Sequence, residues 1–253
     1  MASPVPLVAP MSQAPLLYRG LMTADQLWLE SVWPFVRAHM PAMPAKVLEV
    51  GCGPLGGFVP ALRDQGHQAV GVDPRAPEAP DYQRVTFEQY ESPHRLDAVI
   101  ASTSLHHIVD LDQVLDKVAA VLDPTGVVVV VEWAWERVDE PTARWCFARL
   151  DTAAEPTWLT QRRDEWLASG RPWDAYFTGW ARDHGLHPSA VIRRGLDQRF
   201  RRLLSADGAY CFPALDDTTE ADELAAIDAG AIRSTAIRYV GQLRSPAAAD
   251  GGP

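Results

Sequence analysis

Hydrophobic and polar positions follow one pattern up to residue 133 and a different one beyond it. Five short apolar runs alternate with turns and with stretches of helical spacing, and they cover residues 47–50, 69–72, 84–88, 96–101 and 127–131. Continuous apolar strands are typical of a parallel sheet that is buried on both faces, and the crossovers of such a sheet are right-handed. The pattern therefore predicts an α/β fold with a doubly wound, mostly parallel sheet.

The second pattern begins after the fifth predicted strand. Residues 134–195 show helical stretches without strand-like runs, and seven of the nine tryptophans lie between residues 133 and 180. We predict a helical insertion over the carboxyl edge of the sheet, where ligands bind in open α/β folds. Residues 196–244 then supply closing strands, with strand-like stretches near 199–204 and 236–243.

The two ends of the chain differ from the part between them. Residues 1–22 are interrupted by prolines and predict a flexible leader, and residues 245–253 predict a disordered tail. Thr23 and Gln26 form a capping-box pattern that begins the first helix. We therefore predict one domain over residues 23–244.

Composition narrows the choice of partners and location. The chain has 253 residues and a formal net charge of −10. Nucleic acids and anionic bilayers are bound through clustered Lys and Arg, so this charge disfavours both partners. Three well-separated cysteines suggest neither a disulfide framework nor a zinc site, and no apolar run approaches the ~20 residues of a membrane span. We expect a cytoplasmic protein without a metal site.

A glycine-rich turn after the first predicted strand is the most informative segment. Residues 47–57 read Val-Leu-Glu-Val-Gly-Cys-Gly-Pro-Leu-Gly-Gly, and Asp73 ends the second strand twenty residues after Gly53. Gly51 and Gly53 let the chain turn sharply and let a ligand approach the backbone. A carboxylate at this spacing can accept both hydroxyl protons of a ribose. The segment predicts a nucleoside site, and its spacing also fits the pattern of enzymes that bind a nicotinamide or flavin dinucleotide.

Three features favour a nucleoside without a pyrophosphate. Pro54 has no N–H, although it lies in the loop whose amides would hold a pyrophosphate. Glu49 places a carboxylate two residues before Gly51, which suits a nearby sulfonium or ammonium cation. Polar and titratable side chains at residues 102–107 follow the fourth strand, at the same edge of the sheet.

In their order and spacing, these motifs resemble the class I S-adenosylmethionine-dependent methyltransferases of the small-molecule type. The resemblance covers about residues 46–133 and implies a Rossmann-like seven-stranded sheet, with that segment as the cofactor-binding core and residues 134–195 on the acceptor side. It implies S-adenosylmethionine as cofactor and S-adenosylhomocysteine as product. The cofactor-binding residues that it implies are Glu49, Gly51, Cys52, Gly53, Asp73, Pro74, Phe87, Glu88 and Ser102.

The resemblance also implies a role for several members of this set. Glu49 matches the motif around the methionine part of the cofactor, and Asp73 matches the acid that binds the ribose. Glu88 matches the residue for the adenine amino group, with Glu in place of the commoner Asp. Ser102 matches the position that contacts the amino acid moiety.

Two histidines after the fourth strand are the catalytic candidates. Methyl transfer from a sulfonium is an in-line displacement, so alignment in a dry site is the main task of the enzyme. If the acceptor is a hydroxyl or an acidic carbon, a base assists, and imidazole titrates near neutral pH. We favour His107 slightly over His106, because adjacent residues face different ways and at most one meets the substrate.

The expected function is therefore transfer of a methyl group to a small, hydrophobic or aromatic acceptor, by a monomer or homodimer that binds neither nucleic acid nor membrane. The Trp-rich segment is either the core of the insertion or an aromatic-lined acceptor pocket. Two other functions stay open. One is a nicotinamide-dependent oxidoreductase, which Pro54 opposes, and the other is a protein of this fold that binds the cofactor without methylating.

Overall fold

The computed structural model describes residues 22–150 and 157–244. The predicted leader, apart from residue 22, and the predicted tail lie outside these residues, as do residues 151–156 of the predicted insertion. Within the described part, one sheet of seven strands has the order β3-β2-β1-β4-β5-β7-β6. The strands are β1 (Lys46–Val50), β2 (Gln68–Val72), β3 (Tyr82–Gln83), β4 (Leu96–Ser102), β5 (Leu122–Trp133), β6 (Phe200–Gly208) and β7 (Ala236–Leu243).

The first five strands are parallel to one another, whereas β7 is antiparallel to both β5 and β6. The expected mostly parallel, seven-stranded sheet is thus confirmed. The register pairs Val50 of β1 with Val72 of β2 and with Ala101 of β4. These three strands therefore end together and form a common carboxyl edge.

Helices cover both faces of the sheet and its carboxyl edge. They are α1 (Ala24–Ala38), α2 (Val59–Asp64), α3 (Leu111–Val121), α4 (Glu140–Phe147), α5 (Trp158–Ser169), α6 (Trp173–Asp183), α7 (Ser189–Arg199) and α8 (Glu220–Asp228). Side-chain caps set several of their starts: Thr23 and Gln26 form the predicted capping box of α1, and the Asp110 carboxylate accepts the Gln113 N–H at the start of α3.

The core lies on both faces because successive residues of a strand point in opposite directions. In β5, Val128 and Val130 pack with α3 and α7, whereas Val129 and Val131 pack with α1 and α2 on the other face. This arrangement explains why the central strands are apolar at every position. It also shows that α7, which spans the predicted boundary at residue 195, belongs to the helical layer on the first face.

A separate apolar cluster covers the carboxyl edge beyond β5. It contains buried aromatic side chains from the end of β5 and from α5 and α6, including Trp133, Trp166, Trp173 and Phe177. The tryptophan-rich segment is therefore helical where it is described, as its sequence predicts. It packs around its own aromatic core next to the sheet.

The third strand is the element that the sequence places wrongly. The run at residues 84–88 predicts a strand, but β3 contains only Tyr82 and Gln83, and residues 87–89 form a turn. Phe87 and Tyr90 are buried in the core with their rings 6.4 Å apart. Packing of these two rings draws the chain away from the sheet and overrides the β propensity of the run.

Candidate active site

A cavity of about 720 Å³ opens at the carboxyl edge where β1, β2 and β4 end. This volume lies within the range of small-molecule and cofactor sites. The cavity is lined by all of the predicted cofactor residues, which are Glu49, Gly51, Cys52, Gly53, Asp73, Pro74, Phe87, Glu88 and Ser102, and by His107. His106 is the one predicted site residue that does not line it.

Two glycines of the turn after β1 have different surroundings. Gly51 has φ +77°, and a Cβ atom on it would collide with the side chain of Ser104. Gly53 has φ +63°, and a Cβ atom on it would have no neighbour within 4 Å. Gly51 therefore permits close contact between the turn and the loop after β4, whereas Gly53 leaves an exposed stretch of backbone that a cofactor can approach.

Glu49 lies at the base of the cavity with its carboxyl group buried. The Phe58 N–H donates to Oε2 of Glu49 over 2.6 Å, at the turn that leads into α2. Burial raises the pKa of Glu49 to about 8, although hydrogen bonds from Phe58 and Val59 act in the opposite direction. The protonated carboxyl group therefore prevails at neutral pH, and a cation nearby would favour its ionised form.

Asp73 follows β2 and lines the cavity. Its Oδ1 accepts the Arg75 N–H over 2.7 Å, and its own N–H donates to the Gln83 carbonyl over 3.2 Å. These bonds hold the carboxylate at the strand end. Its position next to the glycine turn is the arrangement in which an acidic side chain can bind ribose hydroxyls.

Helix α1 contributes a wall of the cavity that the sequence did not reveal. Asp25, Trp28 and Leu29 line the cavity. The indole N–H of Trp28 donates to Oγ of Ser102 over 3.1 Å, so the helix is attached directly to the end of β4. The capping box at Thr23 predicts where this helix starts, but no local pattern predicts what it packs against.

His106 lies behind the cavity, and its position argues against the catalytic role considered for it. The side chain is buried, and Nδ1 lies 2.6 Å from Oε2 of Glu132, which is itself fully buried. The other oxygen of Glu132 accepts the N–H groups of Ser104 and Leu105. His106 and Glu132 thus fix the loop after β4, and local sequence gave no signal for Glu132 because 26 residues separate the two side chains.

His107 lines the cavity and packs against the ring of His106, with the ring centres 4.1 Å apart. Burial lowers the pKa of His107 to about 4, and the neighbouring His106 adds to this effect. The imidazole is therefore neutral at pH 7. It can accept a proton, although its low pKa makes it a weak base.

The loop after β4 is also attached to the helical cover. The His187 N–H donates to the His106 carbonyl over 2.9 Å, and Nε2 of His187 lies 2.8 Å from the Ile108 carbonyl. Thr103 has φ +51°, which is an uncommon backbone conformation for a β-branched residue. Glu132 on one side and His187 on the other therefore hold a strained loop that carries His107.

The described residues hold neither a metal-binding cluster nor a membrane-spanning helix. No group of three or more His, Cys, Asp or Glu side chains in residues 22–150 and 157–244 is arranged to hold a metal ion. Over the same ranges, every helix is too short or too polar to cross a bilayer.

The geometry agrees with comparison to known families. Residues 31–202 match a family model described as a methyltransferase domain. The chain belongs to this methyltransferase family, and the predicted class I S-adenosylmethionine-dependent type is confirmed. S-adenosylmethionine is the methyl donor of that class.

Curated relatives match a shorter segment. A ubiquinone biosynthesis O-methyltransferase of Rhodopseudomonas palustris (strain TIE-1) is 31% identical over 98 residues, which cover 34% of this chain and 38% of that protein. The protein of the same description from Bradyrhizobium diazoefficiens is 34% identical over 98 residues, with the same coverage of 34% and 38%. The chain thus spans well under half the length of these relatives.

Solved structures resemble nearly the whole chain. A putative S-adenosylmethionine-dependent methyltransferase from Listeria monocytogenes has a TM-score of 0.53 at 16% identity, covering 85% of this chain and 99% of that one. An S-adenosylmethionine-dependent methyltransferase from Mesorhizobium loti has a TM-score of 0.51 at 18% identity, with coverage of 85% and 99%. At these identities the likeness establishes the fold.

Proposed function

We propose that the chain binds S-adenosylmethionine in the carboxyl-edge cavity and transfers its methyl group to a small, hydrophobic or aromatic acceptor. One observation carries the proposal: the glycine turn, Asp73 and Ser102 lie at the ends of three different strands and line a single cavity. Membership of the methyltransferase family supports the reaction, and it leaves the nicotinamide-dependent alternative without support.

The cavity residues fit this cofactor chemically. Gly53 offers backbone without a side chain, and Asp73 offers a carboxylate for the two ribose hydroxyls. Glu88 lies on the adenine side that the resemblance implies, and Ser102 lies at the end of β4. When bound, S-adenosylmethionine supplies a methyl group activated by the positive charge on sulfur.

The acceptor side of the proposal rests on the apolar mouth of the cavity. Leu29 and Ile108 line it, and Leu55 and Val109 lie at its rim with 45% and 95% of their surfaces exposed. Apolar side chains at a cavity mouth favour a hydrophobic acceptor. The relatives named as O-methyltransferases support oxygen as the accepting atom.

We assign to His107 the removal of a proton from the acceptor. Its neutral imidazole faces the cavity and can accept the proton that a hydroxyl loses during transfer. Trp28, Leu29 and Ile108 line the same cavity, and their apolar side chains would keep water from the reacting atoms, which favours in-line displacement. His106 acts indirectly in this proposal, by holding the backbone of its neighbour.

The test is transfer of labelled methyl from S-adenosylmethionine to a panel of small phenols and aromatic acids, with transfer RNA as a polyanionic comparison. We expect label in a small acceptor and none in the RNA. Binding of the cofactor without transfer to any acceptor would favour the non-methylating alternative. The proposal also includes a monomeric or homodimeric state, a cytoplasmic location and no nucleic-acid partner.

A further inference from the structure

Four aromatic side chains meet at the end of β5, next to the cofactor cavity. We call Trp133, Trp158, Trp180 and Tyr210 the aromatic cluster. The ring of Trp133 stacks on Tyr210 at 5.4 Å, and it lies 4.9 Å from Trp158 and 6.4 Å from Trp180. Trp133 is buried, but the other three side chains are only partly buried, so part of the cluster is accessible to a ligand.

Two buried donors at this cluster have no hydrogen-bond partner among the described residues. One is the indole N–H of Trp133, whose side chain is 4% exposed, and the other is Nη1 of Arg162, which is 5% exposed. The guanidinium of Arg162 lies over the ring of Trp180, 4.5 Å from its centre. Both donors therefore belong to side chains that contact Trp180.

Unpartnered buried donors are uncommon in folded proteins, because losing water without gaining a partner costs free energy. The charge of Arg162 is paired with the Glu165 carboxylate, whose Oε1 accepts from Nη2 over 2.7 Å and whose Oε2 accepts the Tyr176 hydroxyl, so within the described part of the chain the group without a partner is Nη1. The remaining guanidinium edge and the indole N–H would both be satisfied by an anionic oxygen. A guanidinium binds carboxylates especially well.

The aromatic cluster adjoins the cavity along two paths of touching rings. On one path, Trp133 lies 5.8 Å from His106, whose ring packs on that of His107. On the other path, Tyr210 lies 5.0 Å from Trp28. The four rings of the cluster are not among the residues that line the cavity, whereas His107 and Trp28 are. A molecule anchored at the aromatic cluster would therefore have to extend past one of these two side chains to reach the cofactor.

We propose that the aromatic cluster is the acceptor subsite and that it takes an aromatic molecule carrying a carboxylate, which Arg162 and Trp133 bind. This inference rests on the proposed function, since it names the acceptor class of that same reaction. It also separates the two interpretations of the tryptophan-rich segment. Trp166 and Trp173 are buried in the core of the helical cover and Trp133 packs in the same core, whereas the partly buried Trp158, Trp180 and Tyr210 would contact the acceptor.

Calorimetry with two probes of the same shape tests the subsite. The full chain, saturated with S-adenosylhomocysteine, is titrated with 3-phenylpropionate and, separately, with the uncharged 3-phenylpropionamide. We expect the carboxylate to bind at least tenfold more tightly. Arg162→Gln should remove this preference, and Trp133→Phe should reduce it. Arg163→Gln is the matched control, because Arg163 pairs with Asp164 and should leave the preference unchanged.

Binding of S-adenosylhomocysteine is measured in each sample, so the two proposals can fail separately. If the cofactor product binds but the two probes bind equally, or if the carboxylate does not bind at millimolar concentration, the subsite is wrong. Persistence of the preference in Arg162→Gln would also overturn it. If Arg162→Gln does not fold, the comparison of the two probes on the unmodified chain still decides the matter. Failure of S-adenosylhomocysteine itself to bind would contradict the proposed function.

Discussion

Glu49 and His107 face the same cavity, and the pKa of each is displaced toward its neutral form. Burial raises the pKa of the Glu49 carboxyl and lowers that of the His107 imidazole. At neutral pH the cavity therefore holds two uncharged titratable groups. Asp25, Asp73, Arg75 and Glu88 line the same cavity, and of these Asp73 directly follows β2, where we propose that the ribose binds.

Glu49 should make the stability of the protein depend on pH. Its pKa is about 8 in the folded chain and about 4.5 in the unfolded chain, so the folded state retains a proton that the unfolded state has lost between these values. The free energy of unfolding should fall as pH rises through this window, by up to about 1.4 kcal/mol per pH unit from this group.

Glu49→Gln should remove that dependence. Urea unfolding at about pH 5.5 and about pH 7.5 should show that the variant loses roughly 2 to 3 kcal/mol less than the unmodified chain over this interval. Glu78→Gln, at an exposed carboxylate paired with Arg84, should retain the original dependence. Parallel pH curves for Glu49→Gln and the unmodified chain would show that Glu49 does not carry the raised pKa.

Asp73→Ala should weaken the affinity for S-adenosylhomocysteine by more than tenfold. The reason is that hydrogen bonds to a charged group are worth roughly 1.5 to 3 kcal/mol, and about 1.4 kcal/mol corresponds to a factor of ten. Calorimetric titration measures the change, with Glu78→Ala, at an exposed carboxylate between β2 and β3, as the control. An unaltered affinity would mean that the ribose does not lie at the end of β2.

At the scale of elements, the site is formed by two loops and a helix that touch one another. The turn after β1 contacts the loop after β4 through Gly51 and Ser104, and Oγ of Ser104 donates to the Val50 carbonyl over 2.9 Å. Helix α1 joins them through Trp28 and Ser102. The shape of the cavity therefore depends on contacts between these elements as much as on the conformation of each.

Two glycine substitutions distinguish the free-energy cost of a collision with Ser104 from the cost of backbone strain. Gly51→Ala combines a positive φ with a collision against Ser104, so we expect a loss of about 3 kcal/mol or more in the free energy of unfolding, together with lost cofactor binding. Gly53→Ala has the strain without the collision and should cost only about 1 to 2 kcal/mol. Chemical denaturation checks both values, and equal losses would contradict the contact with Ser104.

The elements that the sequence predicts well are those whose signal is local. Continuous apolar strands specify a parallel sheet, and the strand ends of such a sheet lie at one edge, so the sequence could predict that the candidate cofactor residues line one cavity. The prediction of the third strand fails because Phe87 and Tyr90 pack into the core. Trp28 and Ser102 are 74 residues apart, and no periodicity indicates a contact at that separation.

At the scale of the whole molecule, the carboxyl edge of the sheet carries the cavity that we propose for the cofactor, and the tryptophan-rich helices cover the neighbouring edge. The net charge of −10 gives the chain no general attraction for polyanions. Arg162 lies inside the helical cover, where a single guanidinium can select an anionic group of a small molecule. The net charge thus disfavours polyanions, whereas Arg162 favours a small molecule with one anionic group, and we propose that Arg162 selects the acceptor.

Calorimetric titration of the full chain with S-adenosylmethionine, S-adenosylhomocysteine and NADH tests the identity of the cofactor most directly. Saturable one-to-one binding of both S-adenosyl compounds is predicted, with no binding of NADH, because Pro54 removes an N–H from the loop that would hold a pyrophosphate. Absence of binding by both S-adenosyl compounds at millimolar concentration, or tighter binding of NADH, would contradict the assignment of the carboxyl-edge cavity to S-adenosylmethionine.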